Sequence, residues 1–429
     1  MVAIQTAVAN YDPINTSGTP EEFQALANGF FQAEGFVGVL FRDLIGFSLF
    51  PLMSINQLYT PESVAFFVRL HYALDCVGVF SVVVNDSGNL MIVYRLKGWT
   101  AFFNTFVPYF TMLFGLKYTA LLCIARIHQI INTISLNNNT LLLNDLRYEL
   151  VSLVYSLTSL TSSRRMYTME EKLLANRINP TASSNLNMFE NTYTPTFVWI
   201  LGFFLGDGSL FLSLKWLSKE DLIHFIPVFA LVQKVATYNL HFMTLMMEFI
   251  KSLGVNCNIY TGSTEYDIFD ESYKTPMYKL IVEGQLGVIL GIIPLLTQYH
   301  HFLYWKLPQY HTMLWFIRLV ETGSHLCYLG ILYVIDYIKP KDIAKWYERL
   351  ELWSARVTSA RVSGQQYITP YQNNNRQIVG WRVRFPVIMG LRMANFPFTK
   401  HGGDKAALTA AILHRDTTIS TLLKSIDKY

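Results

Sequence analysis

Two nine-residue stretches of this chain end in an acid followed by glycine. One reads Ala27-Asn-Gly-Phe-Phe-Gln-Ala-Glu-Gly35 and the other Ile200-Leu-Gly-Phe-Phe-Leu-Gly-Asp-Gly208. As helices, they place Gly29 and Ala33, and likewise Gly202 and Gly206, four residues apart on one face. Small residues there let two helices approach closely. Glu34 and Asp207 then meet at the C-terminal helix ends, where each carboxylate faces the other and the negative end of a helix dipole. A bound divalent cation offsets both repulsions. Carboxylate-held Mg²⁺ is the recurring device of phosphodiester hydrolysis, because it orients water and stabilises the leaving oxygen. The alternative is two packing helices whose acids merely sit near solvent.

The surrounding sequence repeats around these stretches. Thr19-Pro20 and Thr194-Pro195 each offer an N-cap followed by a first-turn proline. Glu22 adds a capping box to Thr19. Pro51 to Gln57 and Pro227 to Gln233 have the same spacing, inside expected strands Phe47–Gln57 and His224–Gln233. Further strands are expected at Val79–Val84 and Leu90–Leu96, joined by Asp86-Ser-Gly88, and at Val255–Tyr260 and Met277–Val282. Each copy then reads helix, two strands, helix, two strands, helix. Residues 136–193, rich in Asn, Ser and Thr, read as a partly helical linker.

The paired stretches resemble the signature of the LAGLIDADG homing endonucleases and maturases, over roughly residues 19–350. The resemblance implies an acid from each half at the eighth motif position, here Glu34 and Asp207, as metal ligands and catalytic groups. It implies water-positioning glutamines at Gln57 and Gln233, and polarising lysines at Lys117 and Lys306. In copy one, Glu replaces the commoner Asp. The sixth position holds Gln32 and Leu205 where the family often has Asp. The residue-level alternatives are strand-end hydrogen bonding for the glutamines and solvated helix positions for the lysines. The strand Ser209–Lys215 alternates polar and apolar residues, so one face, with Lys215, is available to a nucleic-acid groove.

Composition shifts near residue 355. Residues 351–429 hold eleven Lys/Arg against four Asp/Glu, or +7, while the whole chain carries +4, so the other 350 residues sum to −3. Phosphate neutralisation drives nucleic-acid binding, and only the tail has the charge for it. An early strand near Tyr367, the strands Val379–Phe385 and Arg392–Phe398, and a helix Asp404–Ile419 are expected. With the phrase Phe396-Pro-Phe-Thr-Lys-His-Gly-Gly-Asp-Lys-Ala-Ala407, they resemble the APETALA-type DNA-binding module. That resemblance nominates Arg376, Trp381, Arg382, Arg384 and Arg392 as nucleic-acid contacts. The alternative is a basic appendage that grips phosphates without reading sequence.

The expected architecture is α/β (α+β). A pseudo-two-fold pair of αββαββα half-domains, residues 1–135 and 194–354, carries saddle-shaped antiparallel sheets. A basic three-strand-plus-helix module follows at 355–429. The four cysteines show no metal-ligand spacing. Apolar runs are short or broken by charges, so no membrane partner is expected. The Phe, Tyr, Leu, Ile and Asn bias fits an AT-rich organelle genome, with mitochondrion ahead of chloroplast. The leading expectation is Mg²⁺-dependent double-stranded DNA cleavage in intron mobility. The others are a group I intron maturase that binds RNA, and a structural component of an organellar ribosome.

Overall fold

In a computed structural model, residues 2–12, 16–136, 140–160, 167–180, 191–217, 222–263, 276–323, 325, 327–340, 342–359, 367–375, 377–385 and 391–426 are described. Helix α1 (Val2–Ala9) precedes α2 (Pro20–Glu34). The N-terminus of α2 is set by a reciprocal cap. Thr19 Oγ1 accepts the Glu22 N–H at 3.2 Å, and Glu22 Oε2 accepts the Thr19 N–H at 2.9 Å. Then follow β1 (Phe36–Phe41), β2 (Leu49–Leu58), α3 (Pro61–Ala73), β3 (Val79–Val84) and β4 (Leu90–Lys97). They form a sheet ordered β1-β2-β4-β3 with every neighbouring pair antiparallel. Alternation decides which face is inside: Val37, Val39, Met53, Ile55, Ile92, Tyr94 and Leu96 are all buried.

A π-helical stretch, Phe102–Phe106, leads to α4 (Gly115–Leu136). Residues 136–193, expected as a linker, contain two further helices, α5 (Thr140–Leu160) and α6 (Met169–Ala175). Helix α5 packs on α4 and β1, and Arg126 pairs with Glu149 at 2.8 Å. Helix α4 is long and apolar enough to cross a membrane by length and composition, and it buries one face against α5 and β1.

The element order then repeats. Helix α7 (Phe197–Asp207) is followed by β5 (Gly208–Leu217), β6 (Leu222–Lys234), α8 (Thr237–Ser252), β7 (Asn258–Ser263) and β8 (Pro276–Glu283). The second sheet runs β5-β6-β8-β7, the counterpart of the first. A π-helical stretch, Gln285–Ile292, again precedes the closing helix, α9 (Leu307–Glu321). Helix α7 starts later than Thr194-Pro195 suggests. Its N-cap is Thr196, whose hydroxyl accepts the Trp199 N–H at 3.3 Å.

Helices α10 (Tyr328–Ile338) and α11 (Ile343–Ser359) lead into the basic tail. There β9 (Ile368–Gln372), β10 (Ile378–Val383) and β11 (Ala394–Pro397) form an antiparallel sheet ordered β11-β10-β9, covered by α12 (Asp404–Ile426).

The chain divides into two compact units. One comprises Met1–Ser209, Phe229–Val282 and Gly291–Leu307, and the other Leu210–Val228, Glu283–Leu290 and Pro308–Tyr429. The first is built around α2 and α7. The second is built around a cluster of Ile223, Ile331, Ile335, Trp346, Leu350 and Trp353, and it includes the tail sheet.

Candidate active site

The two motif helices touch at their glycines. A Cβ on Gly29 would fall 1.9 Å from the Trp199 carbonyl oxygen, and one on Gly202 would fall 1.9 Å from that of Leu26. No side chain larger than hydrogen fits at either crossing point. Toward the C-terminal ends, Gly206 lies against Ala33 and Glu34; a Cβ there would be 2.8 Å from Glu34 Cγ. This contact brings Glu34 beside the end of α7, where Asp207 sits. Gly35 and Gly208 then turn the chain into extended backbone, which feeds β1 and β5 directly.

Each helix end is held by a lysine. Lys117 Nζ, from α4, donates to the carbonyls of Phe31 at 2.6 Å, Gln32 at 2.7 Å and Ala33 at 3.3 Å. Lys306 Nζ donates to the Gly208 carbonyl at 2.6 Å. The ammonium groups lie 5.5 Å above Phe31 and 5.4 Å above Phe204, the same motif position in each copy. Lys117 therefore caps the Gln32 and Ala33 carbonyls at the end of α2 and shares the Phe31 carbonyl with the Gly35 N–H, while Lys306 caps the C-cap residue of α7; both complement a helix dipole. The differing sequence spacing of the two lysines does not prevent equivalent placement.

Burial dominates the electrostatics. It raises the Glu34 carboxyl pKa against the lowering effect of Lys117 and Lys306. It also raises Asp207 to about 6, with the Glu34 charge adding to the shift. Burial lowers Lys117 to about 7, and the two carboxylates oppose it; Lys306 is lowered for the same reason. Two acids and two bases thus share a partly buried site, each with its charged form disfavoured.

The glutamines are placed alike but bonded differently. Gln233 Nε2 donates to Asp207 Oδ2 at 3.2 Å, and its Oε1 accepts the Lys234 N–H at 3.0 Å. Gln57 Oε1 accepts the Leu58 N–H at 2.8 Å in the same way. Among the described residues, a glutamine-to-acid bond forms only in the second copy.

Four residues that the motif did not nominate position these helices. Asn28 Nδ2 donates to the Tyr109 carbonyl at 3.0 Å, and its Oδ1 accepts the Met112 N–H at 2.9 Å. Gln32 Oε1 accepts the Phe114 N–H at 3.0 Å, so the polar residue at the sixth position anchors backbone. Trp199 Nε1 donates to Met112 O at 2.9 Å, and Trp305 Nε1 to Leu205 O at 2.9 Å. The available signal was amide side chains on an otherwise apolar helix, which burial obliges to find partners.

The donor set fits a hard divalent cation. It offers two carboxylates whose ionised form is poorly supported by the protein alone, and no soft ligand. Among the described residues, no group of three or more His, Cys, Asp or Glu side chains gathers. Glu34 and Asp207 would therefore hold an ion only with oxygens from water or a phosphate.

No protein-family model matches the chain, and no curated protein matches it. Solved structures do match. The LAGLIDADG homing endonuclease I-LtrWI bound to target DNA superposes with a TM-score of 0.56 at 15% identity, over 74% of this chain and 97% of that one. I-SmaMI bound to cleaved DNA gives 0.54 at 20% identity, over 76% and 97%. I-GzeII in complex with its DNA target gives 0.52 at 17%, over 73% and 96%. This chain has the LAGLIDADG homing endonuclease fold. I-SmaMI also occurs bound to uncleaved target in the presence of calcium ions.

In this LAGLIDADG fold, the open face of the first sheet is largely apolar. Register places Phe36, Leu40, Phe50, Leu52, Leu58, Val79, Val83, Met91 and Val93 on it. The same face carries Ser54, Asn56, Ser81, Arg95 and Lys97, and no carboxylate. In the second unit Lys215 is exposed on β5. Arg384 and Arg392 are exposed at the tail sheet. Arg382 lies 4.9 Å from the Tyr371 ring centroid and donates to Asn395 at 2.8 Å. Trp381 faces inward, buried, with Nε1 donating to Asp404 at 2.7 Å. Arg376 lies outside the described residues.

Proposed function

We propose that this protein is a Mg²⁺-dependent double-stranded DNA endonuclease, with one active site shared by α2 and α7. The observation that carries the reading is the convergence of Glu34 and Asp207 at paired helix ends, with Lys117, Lys306 and Gln233 around them. A divalent ion held by the two carboxylates supplies water activation and leaving-group stabilisation. Gln233 fixes the orientation of Asp207. The lysines hold the helix ends and balance the acid charge before metal arrives. The basic tail, read as an APETALA-type module, grips the nucleic acid through Arg382, Arg384 and Arg392, with Trp381 building its core. We place the protein in an organelle, mitochondrion ahead of chloroplast.

A second reading is favoured by the apolar open face of the first sheet. Base reading in the major groove needs donors and acceptors, and this face offers few. It suits a cleavage-inactive protein bound to structured RNA, as an intron maturase or a ribosomal component, with a protein neighbour covering the sheet. Sequencing the nucleic acid that co-purifies from the native source, with DNase- and RNase-treated controls, separates the two. A single DNA site supports the endonuclease. Intron or ribosomal RNA supports the second reading and leaves the acids as remnants.

A further inference from the structure

A cavity of about 470 Å³ lies at the N-terminal end of α2, in the first compact unit. Glu34 is at the other end of the same helix, about 20 Å away at 1.5 Å per residue. The cavity is therefore separate from the carboxylate site. Its volume is within the range of small-molecule pockets, roughly 300–1,000 Å³.

Three features of its wall point to a ligand. The first is Arg69, only 9% exposed, whose Nη1 donates to Ser17 O at 2.7 Å and Nη2 to Gly18 O at 3.3 Å. The guanidinium lies 4.3 Å from the Phe23 centroid and is hydrogen-bonded to the Tyr304 side chain. Among the described residues its hydrogen bonds go to neutral groups. Neutral carbonyls position this cation but do not neutralise it. The second is Tyr109, whose hydroxyl is buried and has no hydrogen-bond partner among the described residues. A buried hydroxyl in that state costs free energy until something binds it. The third is a stacked pair of rings, Tyr11 and Tyr72, with centroids 4.4 Å apart, both of which line the cavity.

We infer that this cavity binds a small aromatic phosphate of mononucleotide size, its phosphate toward Arg69, its ring on the Tyr11–Tyr72 wall and a polar atom on Tyr109 Oη. Planar guanidinium donors match phosphate oxygens in pairs, and aromatic faces accept a base regardless of its identity. The same chemistry is offered by a free mononucleotide and by the phosphorylated end of a strand.

The test titrates the full-length protein with AMP, using adenosine and inorganic phosphate as comparators, by calorimetry. AMP is expected to bind at least about tenfold more tightly than either fragment, as cooperation of two anchoring groups requires. Tyr109→Phe is the decisive variant, because it deletes a hydroxyl that bonds nothing among the described residues. It should weaken AMP about fivefold or more while leaving the melting temperature unchanged or raised. Arg69→Gln should abolish AMP binding; where that variant fails to fold, Tyr109→Phe alone decides. AMP binding no tighter than phosphate, or an unchanged affinity in Tyr109→Phe, overturns the proposal. Competition of bound AMP by a 5′-phosphorylated oligonucleotide, but not by its 5′-hydroxyl counterpart, assigns the strand end as the source. Absence of that competition assigns the free nucleotide.

Discussion

Gly29 and Gly202 are mirror contacts. Each lies so close to the facing helix that a Cβ would fall 1.9 Å from a backbone carbonyl oxygen, Trp199 for one and Leu26 for the other. A rigid backbone meets both positions, so neither can yield to a larger side chain. The site depends on this crossing, because the same approach sets Glu34 against Gly206 and so beside Asp207.

Gly29→Ala and Gly202→Ala should each destabilise the protein by about 3 kcal/mol or more, at the upper end of overpacking costs. The two losses should be similar, given the matched geometry. Urea unfolding of the single variants measures this. A cost below about 1 kcal/mol in either would mean that the helices do not pack as closely as described.

Glu34→Gln with Asp207→Asn should abolish metal-dependent cleavage and leave nucleic-acid affinity within about twofold, since the acids do not supply phosphate contacts. Cleavage and binding assays on the same preparation separate these effects. Undiminished cutting would remove the acids from the reaction.

Asp207 predicts a pH dependence. Its folded pKa of about 6 lies above the ordinary carboxylate value, so the native state binds the proton more tightly than the unfolded chain. Its contribution is present at low pH and is lost as pH rises from about 4 to about 6. Lys117 has the opposite sense. Its folded pKa of about 7 is depressed, so stability recovers as pH rises above 7 toward the ordinary lysine range. Asp207→Asn should flatten the first slope in a melting-temperature series. Added Mg²⁺ should reverse it, because the cation favours the ionised acid.

Lys117→Met should destabilise more than Lys306→Met. The first removes a donor from three carbonyls of α2, of which Phe31 keeps the Gly35 N–H, and the second from one, that of Gly208. A difference of about 1 kcal/mol or more is expected from the unsatisfied carbonyls. Denaturant midpoints of the pair decide it, and equal losses would reduce both lysines to packing.

Replacing Arg382, Arg384 and Arg392 together by Ala should weaken nucleic-acid binding and flatten its salt dependence. If each arginine meets one phosphate of a duplex, the slope of log K against log salt should fall by about 2.7. Fluorescence anisotropy across a salt series measures that slope. An unchanged slope would place the electrostatic grip elsewhere.

Much of this was legible in the sequence because it is local. An apolar run followed by the Asp86-Ser-Gly88 turn signal gave Val79–Val84 as β3 without adjustment. The reciprocal Thr19 and Glu22 cap follows from spacing alone. The acid-glycine ends and small residues four apart nominated Glu34, Asp207, Gly29 and Gly202 through helical periodicity. The meeting of Glu34 and Asp207 was expected from the paired helices; what required the tertiary structure was the placement of the residues around them. Lys117 and Lys306 differ in sequence spacing, yet both reach a helix end, because reach depends on where their own elements pack. Gln32 seemed a departure from the motif until the Phe114 N–H gave it a partner. Trp381 shares a strand with Arg382 but faces inward, a choice made by the helix that covers the sheet. Residues 136–193 read as a partly helical linker; that 140–160 packs as a helix on α4 and β1 was decided by the tertiary structure. Local pattern determined the elements and the acids; packing determined which groups share a site and how strongly burial disfavours their charge.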